Sequence, residues 1–294
     1  MSSYNKRSSK KLGWTPQWFN AEVFGEPLQL AVKEFQTGYP DLKVDGLCGP
    51  STFRRIKLER ELTNARPSVG DQILIGGKLH PIPWGNVIVP GEDGSLGLPK
   101  GFRKRKERYI NMAITHWDVC TSASKCYRVL AAKGISTHFC IDWDGTIYQM
   151  VDVMHEAWHA GVSKINRQSV GIDFNNPVYP KYNKILIRKN QKERPIISGY
   201  KINGWDPGKF LGFHQVQVDA YVALLASLNH HLPDFELNTP AYTGDPRDIR
   251  AIKMEKAVED GGVMHHAHVK KRKWDTAGIH LKECCEAAQQ LDME

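Results

Sequence analysis

Apolar positions near the start of the chain predict a helical hairpin. Leu28, Val32 and Phe35 fall at i, i+4 and i+7, which is the spacing of one helix face, and a second helical pattern follows residues 44–52. The segment between the two patterns combines turn-forming and helix-starting residues. Such a hairpin is too small to be an enzyme by itself. We therefore expect residues 1–65 to form a separate, all-helical module.

The hydrophobic pattern changes along the rest of the chain. Residues 66–100 are rich in Gly and Pro and lack long periodicity, which predicts a linker that becomes the edge of the next domain. Apolar runs that end at His116 and at Phe174 then predict buried strands. Helical patterns follow at residues 124–133, 215–231 and 279–291. We therefore predict that residues 101–294 form an α+β domain, a mixed β-sheet flanked by helices.

Residues 177–207 show no clear periodicity. A loop of this length in a compact domain is more often functional than idle. It is therefore a candidate for a lid.

The charge balance points to an acidic partner. The chain has 40 Lys and Arg against 32 Asp and Glu, and the excess is concentrated in residues 6–11, 100–108, 188–194 and 270–273. Nucleic acid, anionic lipids and anionic wall polymers would satisfy this charge equally well. The sequence has no helix-turn-helix, RNA-binding signature or zinc finger, so nucleic acid is not favoured.

Targeting signals and cysteines bear on the compartment. The basic, polar start has no apolar run behind it, and no run approaches the ~18 apolar residues of a membrane span. We expect synthesis in a cytoplasm, where reduced thiols are the default. A disulfide among Cys120, Cys126 and Cys140 stays open.

The placement of histidines suggests a metal site. His116 ends one predicted strand, and three histidines crowd within residues 265–268, shortly before Asp275. Two histidines and an acid that converge at strand ends form the ligand set of an open zinc site, with water in the fourth position. The wide separation along the chain excludes a local zinc finger.

A non-haem iron site is the alternative metal site. His116 and Asp118 form an H-x-D pair that, with a distant histidine, could bind iron. A jelly roll should accompany such a site. The alternation of helices and strands does not favour it.

Three motifs between residues 138 and 173 carry a family resemblance. HF-x-ID-x-DG-x-IYQ, AWHAG and SVGID occur in the order and spacing that resemble the zinc-dependent N-acetylmuramoyl-L-alanine amidases, a family that includes bacteriophage lysozyme-like amidases and peptidoglycan recognition proteins. The resemblance runs from about residue 108 to the end, apart from residues 177–207. Separately, LQLAVKEFQ and KVDGLCGPST resemble the small helical peptidoglycan-binding domain often joined to such enzymes, with Asp45, Gly46 and Gly49 as its candidate wall-binding residues.

The resemblance implies a set of zinc ligands and a catalytic lysine. His116 matches the first ligand and Asp275 the third. The second ligand is His266 if strand register is kept, or His265 if the usual spacing to the aspartate is kept, and we prefer His266 because loop length varies more readily than register. Lys273 matches the lysine that stabilises the tetrahedral intermediate.

The resemblance also implies a base and a substrate cleft. Asp173 stands where many relatives have a Glu that activates water, and it is one methylene shorter. It would act as the base directly, act through a second water, or only orient the site. His138, Trp158 and His159 match positions that line the cleft, and Asn175 is a candidate contact for the stem peptide.

Taken together, the resemblances imply a two-module hydrolase that uses Zn²⁺ to cleave the amide between N-acetylmuramic acid and L-alanine of bacterial peptidoglycan. A chain without an export signal and with a substrate outside the membrane fits a monomeric phage endolysin, released from the host cytoplasm through a separately made, holin-type membrane hole. The basic clusters would engage anionic wall polymers or outer-membrane lipids. A relative that binds peptidoglycan without hydrolysing it is the alternative, but such relatives lose a ligand, and all candidates are present here.

Overall fold

The chain forms two compact units, Met1–Pro67 and Ser68–Glu294. The computed structural model describes residues 2–39, 42–64, 71–92, 94–240 and 245–293. Helices in the first unit and a mixed sheet flanked by helices in the second confirm the predicted fold class. The helices are α1 (Ser2–Leu12), α2 (Glu26–Thr37), α3 (Pro50–Asn64), α4 (Ala123–Lys133), α5 (Ser163–Gln168), α6 (Asn183–Arg188), α7 (Gln215–His231), α8 (Met254–Asp260), α9 (His266–Val269) and α10 (Leu281–Gln289), with 3-10 turns at Pro16–Phe19 and Pro180–Tyr182.

The strands are mostly short. Their bounds are β1 (Gln72–Ile75), β2 (Lys78–Pro81), β3 (Val87–Ile88), β4 (Phe102–Arg103), β5 (Met112–Trp117), β6 (Phe139–Ile141), β7 (Ile147–Gln149), β8 (Glu156–Ala157), β9 (Ser169–Phe174), β10 (Ile196–Ile197), β11 (Lys201–Ile202), β12 (Phe210–Leu211), β13 (Asp248–Ile249) and β14 (Gly262–His265). Within the described residues, no helix is long and apolar enough to cross a membrane.

The first unit packs its helices around a small apolar core that includes Trp14 and Val32. Helix α1 was not predicted, because its sequence is basic and polar and has no apolar face. Side chains hold it instead. Asn5 Nδ2 donates to the carbonyl of Gly46 at 3.0 Å, and Asn5 Oδ1 accepts from the amide of Cys48 at 2.9 Å.

The loop between α2 and α3 is built on a buried glutamine. Gln36 Oε1 accepts from the amides of Asp45 at 3.0 Å and Gly46 at 2.8 Å. Gly46 has φ +71°, and a Cβ there would lie 2.9 Å from the carbonyl oxygen of Gln29. Gly46 is buried, whereas Asp45 and Gly49 are half-buried. Gly46 therefore shapes the loop and offers no surface to a polymer.

The main sheet of the second unit has the strand order β14-β5-β9-β6-β7-β3. Strands β14, β5, β9 and β6 run parallel to one another, β7 is antiparallel to β6, and β3 is parallel to β7. Every residue of β5 and β9 is buried, as expected for central strands covered on both faces. Helices α7 and α10 share one apolar core with Ala113 and Ile172, while α5 and α8 pack with Met112 and Ile114 of the alternate positions.

The segment predicted as a linker is largely part of the second unit. Strand β3 is the edge strand at one end of the main sheet. Ile73, Ile82 and Val87 are buried in the large apolar core of the second unit. The predicted linker of residues 66–100 is thus shortened, since structure begins by residue 71; residues 65–70 lie outside the described part. Its apolar residues come in short groups between Gly and Pro, so they produce no periodicity that a sequence pattern would detect.

The stretch of residues 177–207 carries short elements, including α6, β10 and β11. Arg194 fastens it to the domain. This buried guanidinium donates to the Asn175 carbonyl at 2.8 Å and to Gln217 Oε1 at 2.8 Å. The segment is therefore anchored at Arg194, which is not what a freely opening lid would require.

Candidate metal centre and active-site groove

The candidate metal ligands meet where parallel strands end. His116 lies at the carboxyl end of β5, directly paired with Asp173 of β9. His266 follows the last residue of β14, the strand on the other side of β5. The carboxyl ends of parallel strands share one edge of a sheet, which is where α/β proteins build their sites. The loop after α9 brings Asp275 to the same place.

Three ligand atoms converge at this edge. His116 Nδ1 lies 3.0 Å from His266 Nδ1 and 3.2 Å from Asp275 Oδ2, and His266 Nδ1 lies 3.0 Å from the same oxygen. In a tetrahedral zinc site with bonds of 2.0–2.1 Å, ligand atoms lie about 3.3 Å apart. The His116, His266 and Asp275 side chains therefore fit a zinc ion with one open position.

The tautomer of His266 is set by its second nitrogen. His266 Nε2 lies 3.2 Å from the carbonyl oxygen of Ala160. A carbonyl only accepts, so Nε2 carries the proton and Nδ1 keeps its lone pair. That lone pair faces Asp275, as a metal ligand requires.

A chain of hydrogen bonds sets the tautomer of His116 in the same way. Ser169 Oγ donates to the carbonyl of Ile165 at 2.7 Å and therefore accepts from His159 Nε2 at 3.1 Å. His159 Nδ1 is then unprotonated and accepts from His116 Nε2 at 3.0 Å. His116 Nδ1 is left with a lone pair that faces the same point as those of His266 and Asp275. Three electron-rich atoms this close call for a cation between them.

His265 lies elsewhere. It is the last residue of β14, and its Nδ1 lies 2.9 Å from Thr276 Oγ1. Its backbone amide donates to His268 Nδ1 at 3.2 Å. Alternation along the strand turns the His265 side chain away from the face that holds His116. The geometry therefore favours His266 over His265 as the second ligand.

Burial keeps His116 in the form that binds metal. Desolvation, together with the neighbouring His266, lowers the pKa of His116 to about 4. The imidazole is thus neutral at neutral pH, and neutral imidazole is the form that ligates zinc. The charge of Lys273 also lowers this pKa, which places its ammonium within electrostatic range of the centre.

Asp173 is the carboxylate next to the ligand set. Burial raises its pKa to about 8, and the charges of Asp118 and Asp275 add to the increase. Its Oδ2 accepts from Cys126 Sγ at 3.6 Å. A carboxyl group with a pKa near neutrality can both accept and return a proton.

A groove of about 200 Å³ gives access to these groups. Asp173 and all three candidate ligands line it, and Trp158 and Lys273 lie exposed on its wall. The Trp158 indole is 42% exposed, so it faces the groove rather than the core. An exposed indole beside a cation suits an extended ligand with apolar and anionic parts.

Of the predicted substrate contacts, His138 is buried away from the groove. His138 is fully buried: its Nδ1 accepts from the amide of Gly171 at 2.9 Å, and its Nε2 donates to the carbonyl of His155 at 2.8 Å. It therefore joins β6 to β9 and does not reach the groove. His159 lines the groove but is occupied by the hydrogen bonds that orient His116.

Asn175 is also fully buried, and its amide donates to Asp118 Oδ2 at 2.9 Å and to the carbonyl of Cys120 at 3.1 Å. A direct contact with a stem peptide is excluded in this conformation. Sequence reasoning also missed Ser169 and Cys126. Ser169 is part of the SVGID motif, and that motif was the available signal. The sequence marked Cys126 only as a candidate for a disulfide with Cys120 or Cys140, and all three are free thiols in the structure.

Comparison with known proteins agrees with this geometry. The model of the N-acetylmuramoyl-L-alanine amidase family matches residues 106–278, more than half of the chain. The chain therefore belongs to this family, and it is an N-acetylmuramoyl-L-alanine amidase that acts on peptidoglycan. A search of curated proteins finds no match.

Solved structures of low sequence identity resemble the chain. A selenomethionine derivative of AmpD is 14% identical over 68% of this chain and 93% of its own, with a TM-score of 0.37. AmpDh3 from Pseudomonas aeruginosa, in complex with anhydromuramic pentapeptide, is 17% identical over 63% of each chain, with a TM-score of 0.39. The catalytic domain of XlyA is 17% identical over 68% of this chain and 99% of its own, with a TM-score of 0.34.

Proposed function

We propose that this amidase is a zinc-dependent endolysin. It cleaves the amide between N-acetylmuramic acid and L-alanine and so lyses bacteria from within. The observation that carries the zinc requirement is the convergence of three lone pairs, from His116, His266 and Asp275, at distances of 3.0–3.2 Å. The hydrogen bonds that fix both tautomers support it, since they have the direction that a metal centre needs.

When bound, zinc supplies a Lewis acid that polarises the amide carbonyl and activates water. The residues of the chain do the rest. Asp173 takes the proton from the attacking water and returns it to the leaving amine of L-alanine, a double role that suits its raised pKa. Lys273, exposed at the groove, donates to the oxygen of the scissile carbonyl as negative charge develops on it.

The first unit serves as a tether in this proposal. Its helical hairpin resembles a peptidoglycan-binding domain, and a tether raises the local concentration of the enzyme on an insoluble polymer. Synthesis in the host cytoplasm, followed by release through a separately made membrane hole, brings both units to the wall. A monomer is sufficient, because the residues of one chain supply the complete ligand set and the base.

The experiment measures new amino termini released from purified peptidoglycan. The protein is assayed as isolated, after chelation, and after zinc is added back. Release of L-alanine amino termini that is lost on chelation and restored by zinc is the expected result. His265→Ala serves as the matched control for His266→Ala, and only the second change should abolish release. Activity that survives complete chelation would refute the zinc requirement.

A further inference from the structure

We propose that a basic pocket at the opposite edge of the sheet binds the phosphate groups of an anionic wall glycopolymer. The basic pocket is a cavity of about 450 Å³ lined by residues that include Arg105, Arg108, Tyr109, Lys164, Arg167 and Gln168. The phosphate chemistry follows from the pocket alone. The wall as the source of that phosphate rests on the proposed function.

The basic pocket is separate from the metal centre. Tyr109 lies shortly before the first residue of β5, and Gln168 immediately precedes β9. His116 and Asp173 lie at the other ends of these two parallel strands. Six residues of β-strand span roughly 17–20 Å, so a ligand in the basic pocket does not occupy the groove.

The charge of the basic pocket is strongly unbalanced. Four of its lining residues are cationic, and Glu107 is the acidic one among those named for the cavity. Arg105 is neutralised by Glu156, with 2.7 Å between Nη2 and Oε2. Lys164 and Arg167 are exposed, and no ion pair of either is found in the described part of the chain. An anion of more than one charge would balance them.

Arg108 adds a half-buried positive charge to the lining of the basic pocket. Its Nη1 donates to the carbonyls of Asn166 at 2.8 Å and Ser169 at 3.0 Å, and its Nη2 donates to that of Val153 at 2.8 Å. Its Nε is buried without a hydrogen-bond partner among the described residues. These three acceptors are neutral, and Nη2 also lies 3.3 Å from His138 Nε2. Burial lowers the pKa of Arg108 to about 10, an effect that the nearby charge of Glu156 partly offsets.

The side chains favour phosphate on a polymer over a membrane. Arginine forks and lysine ammonium groups are the usual partners of phosphate oxygens. Tyr109, 52% exposed, places one flat ring beside these cations. Binding to a lipid surface instead uses a broad face of Trp, Phe and Leu around the basic residues. Among the described residues that line the cavity, Tyr109 is the one aromatic side chain, so the cavity has no such face.

The test is a double charge reversal, Lys164→Glu with Arg167→Glu. Both side chains are exposed, so folding should survive, whereas replacing Arg108 would free three carbonyls and risk misfolding. Lys184→Glu with Arg188→Glu on α6 is the matched control. It changes the net charge equally, on two exposed residues outside the basic pocket.

The probe is a soluble poly(glycerol phosphate), titrated calorimetrically at low salt. We expect the affinity for this polymer to fall about tenfold in the Lys164→Glu, Arg167→Glu variant, because that is the usual strength of two exposed charge contacts. In the control variant the affinity should change less than twofold. Added salt should weaken wild-type binding. Both variants should cleave a small soluble muropeptide at the wild-type rate, since neither touches the groove.

Other outcomes would overturn the proposal. Absence of wild-type binding, or equal losses in both variants, would reduce the basic pocket to general surface charge. Equal, pocket-dependent binding of polyglutamate would refute phosphate as the recognised group. Pocket-dependent binding of phosphatidylglycerol vesicles without polymer binding would refute the wall as the source. If the protein bound the polymer but released no amino termini from peptidoglycan, the phosphate-binding role of the basic pocket would be supported and the proposed function would be refuted.

Discussion

Gly171 in β9 lies against His159, the histidine that is hydrogen-bonded to the candidate metal ligand His116. A Cβ built on Gly171 would lie 2.5 Å from Cγ of His159 and 2.9 Å from its Nδ1. His159 Nδ1 is the atom that accepts from His116 Nε2. We therefore predict that Gly171→Ala damages the candidate metal centre without touching a candidate ligand, because the added methyl group displaces the His159 ring.

The size of the effect follows from the overlap. Non-bonded carbon atoms rest about 3.5–4.0 Å apart, so the ring must move by about 1 Å. Overpacking of this kind lowers the free energy of unfolding by about 1–3 kcal/mol. Loss of the partner that orients a metal-bound histidine weakens metal binding by about 10–100-fold. We expect losses of these sizes in stability and in zinc affinity.

The assay combines chemical denaturation with zinc competition against a chelator. Gly85→Ala is the matched control, because a Cβ there meets nothing within 4 Å. A double-mutant cycle with His159→Ala isolates the contact, since removing the ring should remove most of the cost of the methyl group at Gly171. The reasoning would be refuted if Gly171→Ala lowered the free energy of unfolding as much in the His159→Ala background as in the wild type. It would also be refuted if Gly171→Ala bound zinc as tightly as Gly85→Ala.

Three further predictions concern the site and its support. His266→Ala should abolish stoichiometric zinc binding, and His265→Ala should retain it, as measured by metal analysis of dialysed protein; equal zinc content would contradict the ligand assignment. Asp173→Asn should lower kcat by about 10²–10⁴-fold at full zinc occupancy, and a near-normal rate would leave it only an orienting role. Burial holds the pKa of His138 well below its ordinary 6.5, so the wild type should lose stability as pH falls below about 6.5, by up to about 1.4 kcal/mol per unit from this group. His138→Asn should show a shallower loss in denaturation curves between pH 7 and 5, whereas parallel curves would contradict a buried neutral imidazole.

Local patterns revealed the strands and the position of His116, because a buried central strand is a continuous apolar run and its end is visible in the sequence. The partners of a side chain were not visible in the same way. His159 reaches His116 only through the packing of strands and the short helix α5. The buried Asn175 is hydrogen-bonded by Arg194, which belongs to a segment that looked structureless. Helix α1 escaped detection because polar side chains, not an apolar face, hold it.

The candidate ligands His116 and Asp275 are 159 residues apart, and β14 must pair with β5 before they meet. Contacts this distant in sequence form late in folding, because a long loop must close first. On the ribosome, which adds about 5–20 residues per second, the emerging chain holds only His116 until residues 262–275 are made. Activity should therefore appear abruptly, at the end of domain synthesis. A chain stopped before residue 266 would carry most of the residues that line the groove and only one of the three candidate metal ligands.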